Sequence, residues 1–190
     1  MGIITEDLER RIKTCTLCRL HRSRKNAVPG DGPYNAKIIF CGEAPGYNES
    51  IQGKPFVGSA GKFLNELLQI ARLRREEVYI TNVTKCRPPE NRDPFDDEIE
   101  TCTTNYLQKQ VAMIKPKLAV ALGRIAARAL LDRHVTMGRE HGTLLNCTYA
   151  SVKFKLYLTY HPAAALYGAE AKSALLADFK KLGQIVKDMT

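Results

Sequence analysis

The sequence predicts an α/β protein: a three-layer α/β/α sandwich around a central four-stranded parallel sheet, formed by a single domain over residues 1–190. Three observations point there. Four short runs are continuously apolar, as strands buried on both faces are. Segments with a helical apolar period alternate with those runs, which implies parallel strands with helices on both sides of the sheet. The polar, Gly- and Pro-rich segments fall just after the strands, and ligands bind beyond the C-terminal ends of strands in such sheets.

In chain order, residues 5–13 read as a short helix, with Thr5 as N-cap and Glu6 and Asp7 in its first turn. Residues 21–36 form a basic loop that contains Pro and Gly. Lys37-Ile38-Ile39-Phe40-Cys41 is the first buried strand, closing on Gly42-Glu43-Ala44-Pro45-Gly46. Residues 59–71 carry Phe63, Leu64, Leu67, Leu68 and Ala71 at helical spacing, with Ser59 as the expected cap. Val78-Tyr79-Ile80-Thr81 is the second strand and ends at Asn82. Residues 95–114 read as a long helix with Ile99, Cys102, Tyr106 and Leu107 facing inward. Leu118-Ala119-Val120-Ala121-Leu122 is the third strand, followed by a helix over 124–132. Lys155-Leu156-Tyr157-Leu158-Thr159 is the fourth and closes on His161-Pro162. A C-terminal helix over 170–187 buries Leu175, Leu176, Phe179, Leu182 and Val186.

Lys and Arg total 29 against 20 Asp and Glu, a formal net charge of +9. An excess of this size on a small protein favours polyanionic partners, nucleic acid before an acidic membrane surface. No run approaches the ~20 apolar residues that a spanning helix needs. The N-terminus has acids early and no apolar stretch, so it is not a signal peptide, and Glu6 stands where a myristoylation signal needs Ser or Thr. The chain is expected to stay inside the cell.

There are six cysteines: Cys15, Cys18, Cys41, Cys86, Cys102 and Cys147. Disulfides are the less expected use inside a cell. Cys15-Thr-Leu-Cys18 lets two thiolates from one turn reach a shared centre. Cys86 lies in a loop stiffened by Pro88 and Pro89, and Cys102 in the long helix. Zinc ribbons usually present two close pairs. One pair plus two singles also suits a cubane iron–sulfur cluster, so spacing leaves the metal open. The alternative for Cys86 and Cys102 is burial as small apolar groups. Cys41 and Cys147 adjoin strand-like runs and read as core.

Gly58-Ser59-Ala60-Gly61-Lys62 approaches a phosphate-binding loop, but Phe63 follows where Ser or Thr must bind magnesium, so a nucleoside triphosphatase is excluded. No GxGxxG follows the first strand, which argues against a dinucleotide site. Pro162 keeps His161 out of the helical region at a strand end, where a histidine can act as an electrophile or as an acid and base.

Together these segments resemble the family 4 uracil-DNA glycosylases, the iron–sulfur type of thermophilic bacteria and archaea. The resemblance is carried by Cys15–Cys18, Gly42-Glu43-Ala44-Pro45-Gly46, Gly53-Lys54-Pro55-Phe56-Val57-Gly58, Thr81-Asn82 through Asn91-Arg92 with Cys86, Cys102, and His161-Pro162-Ala163-Ala164. It covers nearly the whole chain. It implies hydrolysis of the N-glycosidic bond of deoxyuridine in DNA, and a [4Fe-4S] cluster on Cys15, Cys18, Cys86 and Cys102 that ties down the N-terminal helix. The expected partner is DNA containing uracil, single- or double-stranded, and no membrane. The chain is expected to act as a monomer, with a replication clamp as a candidate partner. A glycosylase that also removes hypoxanthine or xanthine, and a non-enzymatic iron–sulfur DNA-binding module, are the competing readings.

The resemblance also implies roles. Phe56 stacks on a flipped base, and Asn82 pairs with N3–H and O4 of uracil. Gly42, Glu43 and Ala44 bring backbone close to that base. His161 donates to the charge that develops on O2. Family 1 enzymes place Asp at the position of Ala44, so Glu43 and Asn91 become the groups that position water. Glu49, with Tyr47, is expected to exclude the thymine methyl. Leu166 is the expected DNA wedge; the family often has a basic residue shortly after it, whereas Tyr167 and Gly168 follow here.

Overall fold

The computed structural model describes residues 2–189, without the side chains of residues 2–4. Its sheet has five strands in the order β2-β1-β3-β5-β4, with β1 Ile38–Gly42, β2 Tyr79–Asn82, β3 Leu118–Leu122, β4 Thr143–Tyr149 and β5 Val152–Thr159. β2, β1, β3 and β5 run parallel, as expected. The expected four-stranded sheet gains an antiparallel edge, because β4 pairs with β5 as a hairpin. β4 has no continuous apolar run; its residues mostly alternate between exposed and half-buried. Its turn, Ala150 at φ 50° and Ser151 at φ 62°, has two left-handed residues without the Asn-Gly that usually marks such a turn.

Alternate residues of the parallel strands face opposite layers. Ile38, Phe40, Ile80, Val120 and Leu122 pack against α3 (Ser59–Ile70) and α8 (Ala169–Asp188), which supply Leu64, Leu67, Leu68, Phe179 and Leu182. Ile39, Cys41, Ala119, Ala121, Leu156 and Leu158 face α4 (Asp96–Cys102), α5 (Gln108–Ile114) and α6 (Arg124–Leu131). Cys41 and Cys147 are core residues, as expected. The remaining short helices are α2 (Tyr47–Gln52) and α7 (Met137–Glu140).

Helix boundaries depart from expectation in three places. α1 spans Gly2–Lys13, so Thr5 lies inside the helix and does not cap it. Gly58 holds the N-cap position of α3, and Ser59 is the first helical residue. The long helix over 95–114 is divided into α4 and α5 by one turn of π-helix, Thr103–Leu107. There Thr103 Oγ1 donates to the carbonyls of Ile99 (2.8 Å) and Glu100 (3.1 Å), and Asn105 Nδ2 to that of Thr101 (2.8 Å). Side-chain donors that take backbone acceptors loosen the regular ladder.

β2 is an outer strand. A single antiparallel bridge covers its free edge: Asp31 N donates to Ile80 O (2.9 Å) and Ile80 N to Asp31 O (2.8 Å).

Candidate active site

β1 and β2 end level with each other, with Gly42 paired to Asn82 across the ladder. The loops that follow leave side by side and are bonded together: Val83 N donates to Gly42 O (2.9 Å) and Thr84 N to Glu43 O (3.0 Å). β5 ends at Thr159 on the same sheet margin and delivers His161, which stands in extended conformation (φ −69°, ψ 136°) ahead of Pro162. These strand ends enclose a cleft of ≈ 380 Å³ lined by Glu43, Ala44, Phe56, Asn82, Asn91 and His161 among others. Six of the residues singled out in the sequence therefore meet in one place, and Glu49 lines the cleft with them. The structure does not bring Gly42, Tyr47 and Leu166 into the lining. Gly42 is buried at the end of β1, against the side chains of Asn82 and Phe56. Tyr47, at the start of α2, and Leu166, at the end of the helical turn Pro162–Leu166, are exposed.

The floor of the cleft is tight. A Cβ on Gly42 would lie 2.4 Å from Asn82 Oδ1 and 2.7 Å from Phe56 Cζ, so only glycine leaves room for both side chains. Phe56 itself has φ 51°, a strained conformation for an aromatic residue. It is held there from below: Arg75 donates to the carbonyls of Pro55 (2.7 Å) and Phe56 (3.2 Å). From above, Glu49 Oε1 accepts the amides of Val57 and Gly58, both at 2.8 Å. Asn82 is 1% exposed. Its Oδ1 is buried and has no hydrogen-bond partner among the described residues. An orphaned buried acceptor carries a desolvation cost that a ligand donor would relieve.

The His161 ring lies 5.5 Å from that of Phe56, at 29° to it. Ala163 N donates to His161 Nδ1 at 3.1 Å. Burial lowers the His161 pKa to about 4, against an opposing pull from the Glu49 charge. The imidazole is therefore neutral at pH 7. With Nδ1 as acceptor, its proton sits on Nε2, which is left as a donor.

Glu43 is half-buried. Burial pushes its pKa up to about 7; the Asp93 charge adds to this and Arg124 opposes it. Asp93 and Arg124 form an ion pair of 2.9 Å. Asn91 ends the helical turn Pro89–Asn91 in a left-handed conformation (φ 56°), and its Oδ1 accepts from Arg87 Nε at 2.7 Å. The Arg87 guanidinium in turn lies 5.2 Å from the Tyr47 ring centre. Arg87, Asp93 and Arg124 were not legible as site residues. Only an Arg four positions before the Asn hinted at any of them.

Behind the Asn82 loop, Cys86 and Cys102 are buried with Leu8, Ile12, Leu20, Ala27 and Tyr106, and Cys15 and Cys18 pack against this group. Burial raises the thiol pKa values of Cys18, Cys86 and Cys102, and charge on neighbouring cysteines adds to the rise. Three N–H groups point at them: Leu17 N to Cys15 (3.5 Å), Lys85 N to Cys102 (3.2 Å) and Arg24 Nη1 to Cys86 (3.0 Å). Among the described residues no set of three His, Cys, Asp or Glu is drawn together closely enough to hold a metal ion as it stands. No described helix is long and apolar enough to cross a membrane.

Residues 29–182 match the uracil DNA glycosylase superfamily. A type-4 uracil-DNA glycosylase of Archaeoglobus fulgidus is 45% identical over 184 residues, covering 95% of this chain and 92% of the relative. One from Saccharolobus solfataricus is 45% identical over 176 residues, with 90% and 81% covered. One from Thermotoga maritima is 38% identical over 187 residues, with 97% and 95% covered. With similarity over at least four-fifths of both chains in each comparison, the chain belongs to the uracil-DNA glycosylase superfamily, within its type-4 family.

Proposed function

We propose that this protein is a DNA-repair hydrolase that cleaves the bond between uracil and deoxyribose in DNA and leaves an abasic site. The observation that carries this reading is the buried, unpartnered Oδ1 of Asn82 at the foot of a nucleoside-sized cleft. A base must leave the stack to reach such a place. Once there it lies against Phe56. Asn82 Oδ1 accepts N3–H of uracil and its amide donates to O4. Cytosine presents an acceptor at N3 and a donor at the adjacent exocyclic position, so both contacts fail. Glu49, fixed by two backbone amides, stands as the group that excludes the thymine methyl. Exposed Leu166 is suited to fill the gap left in the duplex.

Cleavage places negative charge on uracil and positive character on the sugar. The neutral His161 donates from Nε2 to O2 as that charge grows, and costs no proton transfer at pH 7. Glu43, ionised by about half near pH 7, orients and polarises the attacking water together with Asn91. Ala44 leaves open the space that a longer side chain would take beside it. The +9 charge balance supplies affinity for the phosphate backbone of either single- or double-stranded DNA.

The cysteine group fits an iron–sulfur cluster: four thiols from three segments, N–H donors aimed at sulfur, and an apolar surround. Cys15, Cys18, Cys86 and Cys102 would hold a [4Fe-4S] cluster, which would supply a four-armed cross-link between the turn after α1, the loop after β2 and the end of α4. On this reading residues 1–190 form one domain, acting on DNA inside the cell. The test is incubation with oligonucleotides that contain uracil, hypoxanthine or thymine, followed by alkaline scission at abasic sites. Scission at uracil and none at thymine is expected. No scission at uracil overturns the proposal. Iron and acid-labile sulfide near four per chain are expected in protein prepared without oxygen.

A further inference from the structure

Lys85 is 1% exposed, among the largest fully buried side chains of the protein. Its Nζ donates to Thr81 Oγ1 at 2.7 Å and to the Asn82 carbonyl at 2.6 Å. An ammonium has three donors and a full charge. Two neutral acceptors satisfy two of those donors and none of the charge. No carboxylate lies within ion-pair distance of Lys85 among the described residues. A buried ammonium without a counter-charge is strongly unfavourable. Burial pulls its pKa down to about 8, and what opposes this is negative charge on the sulfurs of Cys102, Cys41 and Cys86. Its own backbone N–H also points at Cys102 Sγ, and Cys86 is the next residue.

A [4Fe-4S] core held by four thiolates is a net dianion in its oxidised resting state. We propose that Lys85 is the buried counter-ion of the cluster, and that the same side chain positions the base-reading residue by holding the Asn82 carbonyl. This rests on the [4Fe-4S] reading given above. Arg24 approaches Cys86 from the outer, half-buried side. Lys85 lies in the interior, with its backbone N–H on Cys102 Sγ and its Nζ at the end of β2. The cluster and the uracil site are thereby joined through one side chain. Negative charge behind the sheet keeps the ammonium in place, and the ammonium keeps the last carbonyl of β2 in place. Lys85 is a positioning residue and touches no reacting atom.

The experiment compares wild type with Lys85→Met, Lys85→Gln and Lys85→Arg. Methionine removes charge and donors, glutamine keeps a donor without charge, and arginine keeps both. Iron and sulfide are measured first in wild type; a wild type without them overturns the cluster reading itself. With the cluster present, the midpoint potential of its one-electron reduction is measured by spectroscopic titration. Removal of a buried cation should move it to more negative values in Met and Gln, and arginine should restore it. Preference for uracil-containing over uracil-free oligonucleotide should fall by roughly tenfold in Met and by less in Gln. If Met and Gln fail to retain iron while Arg retains it, the conclusion is the same. Equal iron loss in all three variants, or a potential unmoved in Met and Gln, overturns the proposal and leaves the glycosylase reading intact.

Discussion

Replacement of Glu43 by Gln separates a carboxylate that works from one that only fills space. The wild-type pKa of about 7 comes chiefly from burial, with Asp93 adding to it and Arg124 opposing it. A raised pKa keeps the carboxyl protonated at low pH, so the active carboxylate is gained as pH rises. With a midpoint near 7, the ionised fraction grows from about one-tenth at pH 6 to about nine-tenths at pH 8, so the rate should rise by about tenfold. His161, with its pKa near 4, stays neutral throughout and adds no limb in this window. Glu43→Gln should flatten the profile and lower the rate at pH 8 by about 10²-fold. The assay is single-turnover cleavage of a uracil-containing oligonucleotide with enzyme in excess, which reads the chemical step without product release. A wild-type profile that is flat from about pH 6 to pH 8, or a Glu43→Gln variant that keeps the limb, would refute the water-positioning role of Glu43.

Three further outcomes are expected. His161→Ala should cut the single-turnover rate by about 10²–10³-fold while affinity for uracil-containing DNA falls far less, because its contact strengthens only as charge develops; a rate near wild type removes His161 from the role. Asn82→Asp should shift preference toward cytosine in a competition between uracil- and cytosine-containing oligonucleotides, since a carboxylate accepts from the cytosine amino group and offers no donor to uracil O4. Gly42→Ala should reduce cleavage by about 10²-fold with an unchanged circular dichroism spectrum, because the new methyl displaces Asn82 or Phe56 by ångström amounts; full activity would show that neither side chain needs its present place.

Most of the site was legible because a parallel sheet gathers its strand ends. Asn82 and His161 are about 80 residues apart in sequence, yet the rule for parallel strands puts both on one margin. The fifth strand was not legible: β4 lacks the continuous apolar run that marks its neighbours, and Ala150-Ser151 carries no turn signal. Tyr47 was expected beside Glu49 at the thymine methyl, but its ring is exposed and lies against the Arg87 guanidinium. Burial sets most of the Glu43 pKa, and the charges that adjust it come from elsewhere in the chain, Asp93 from the loop before α4 and Arg124 from the start of α6; no local pattern announces such a pair. Lys85 was invisible as one of 29 basic residues, because a lysine is expected at the surface unless the fold shows otherwise.

The outer position of β2 has a consequence for how the molecule behaves in company. An uncovered strand edge is a template on which a second chain can add. Here the strand that ends in Asn82 would be that template, and growth on it would crowd the loops at the mouth of the cleft. The bridge from Asp31 to Ile80 occupies the middle of this edge. The neighbouring Gly32, at φ 120°, lets the covering loop lie flat, since a Cβ there would meet Val78 O at 2.1 Å. The basic loop after the cysteine turn thus acts as a guard against polymerisation. A side chain at position 32 would lift that guard, and the first symptom would be chain-to-chain strand addition, with catalysis lost only as the site became covered.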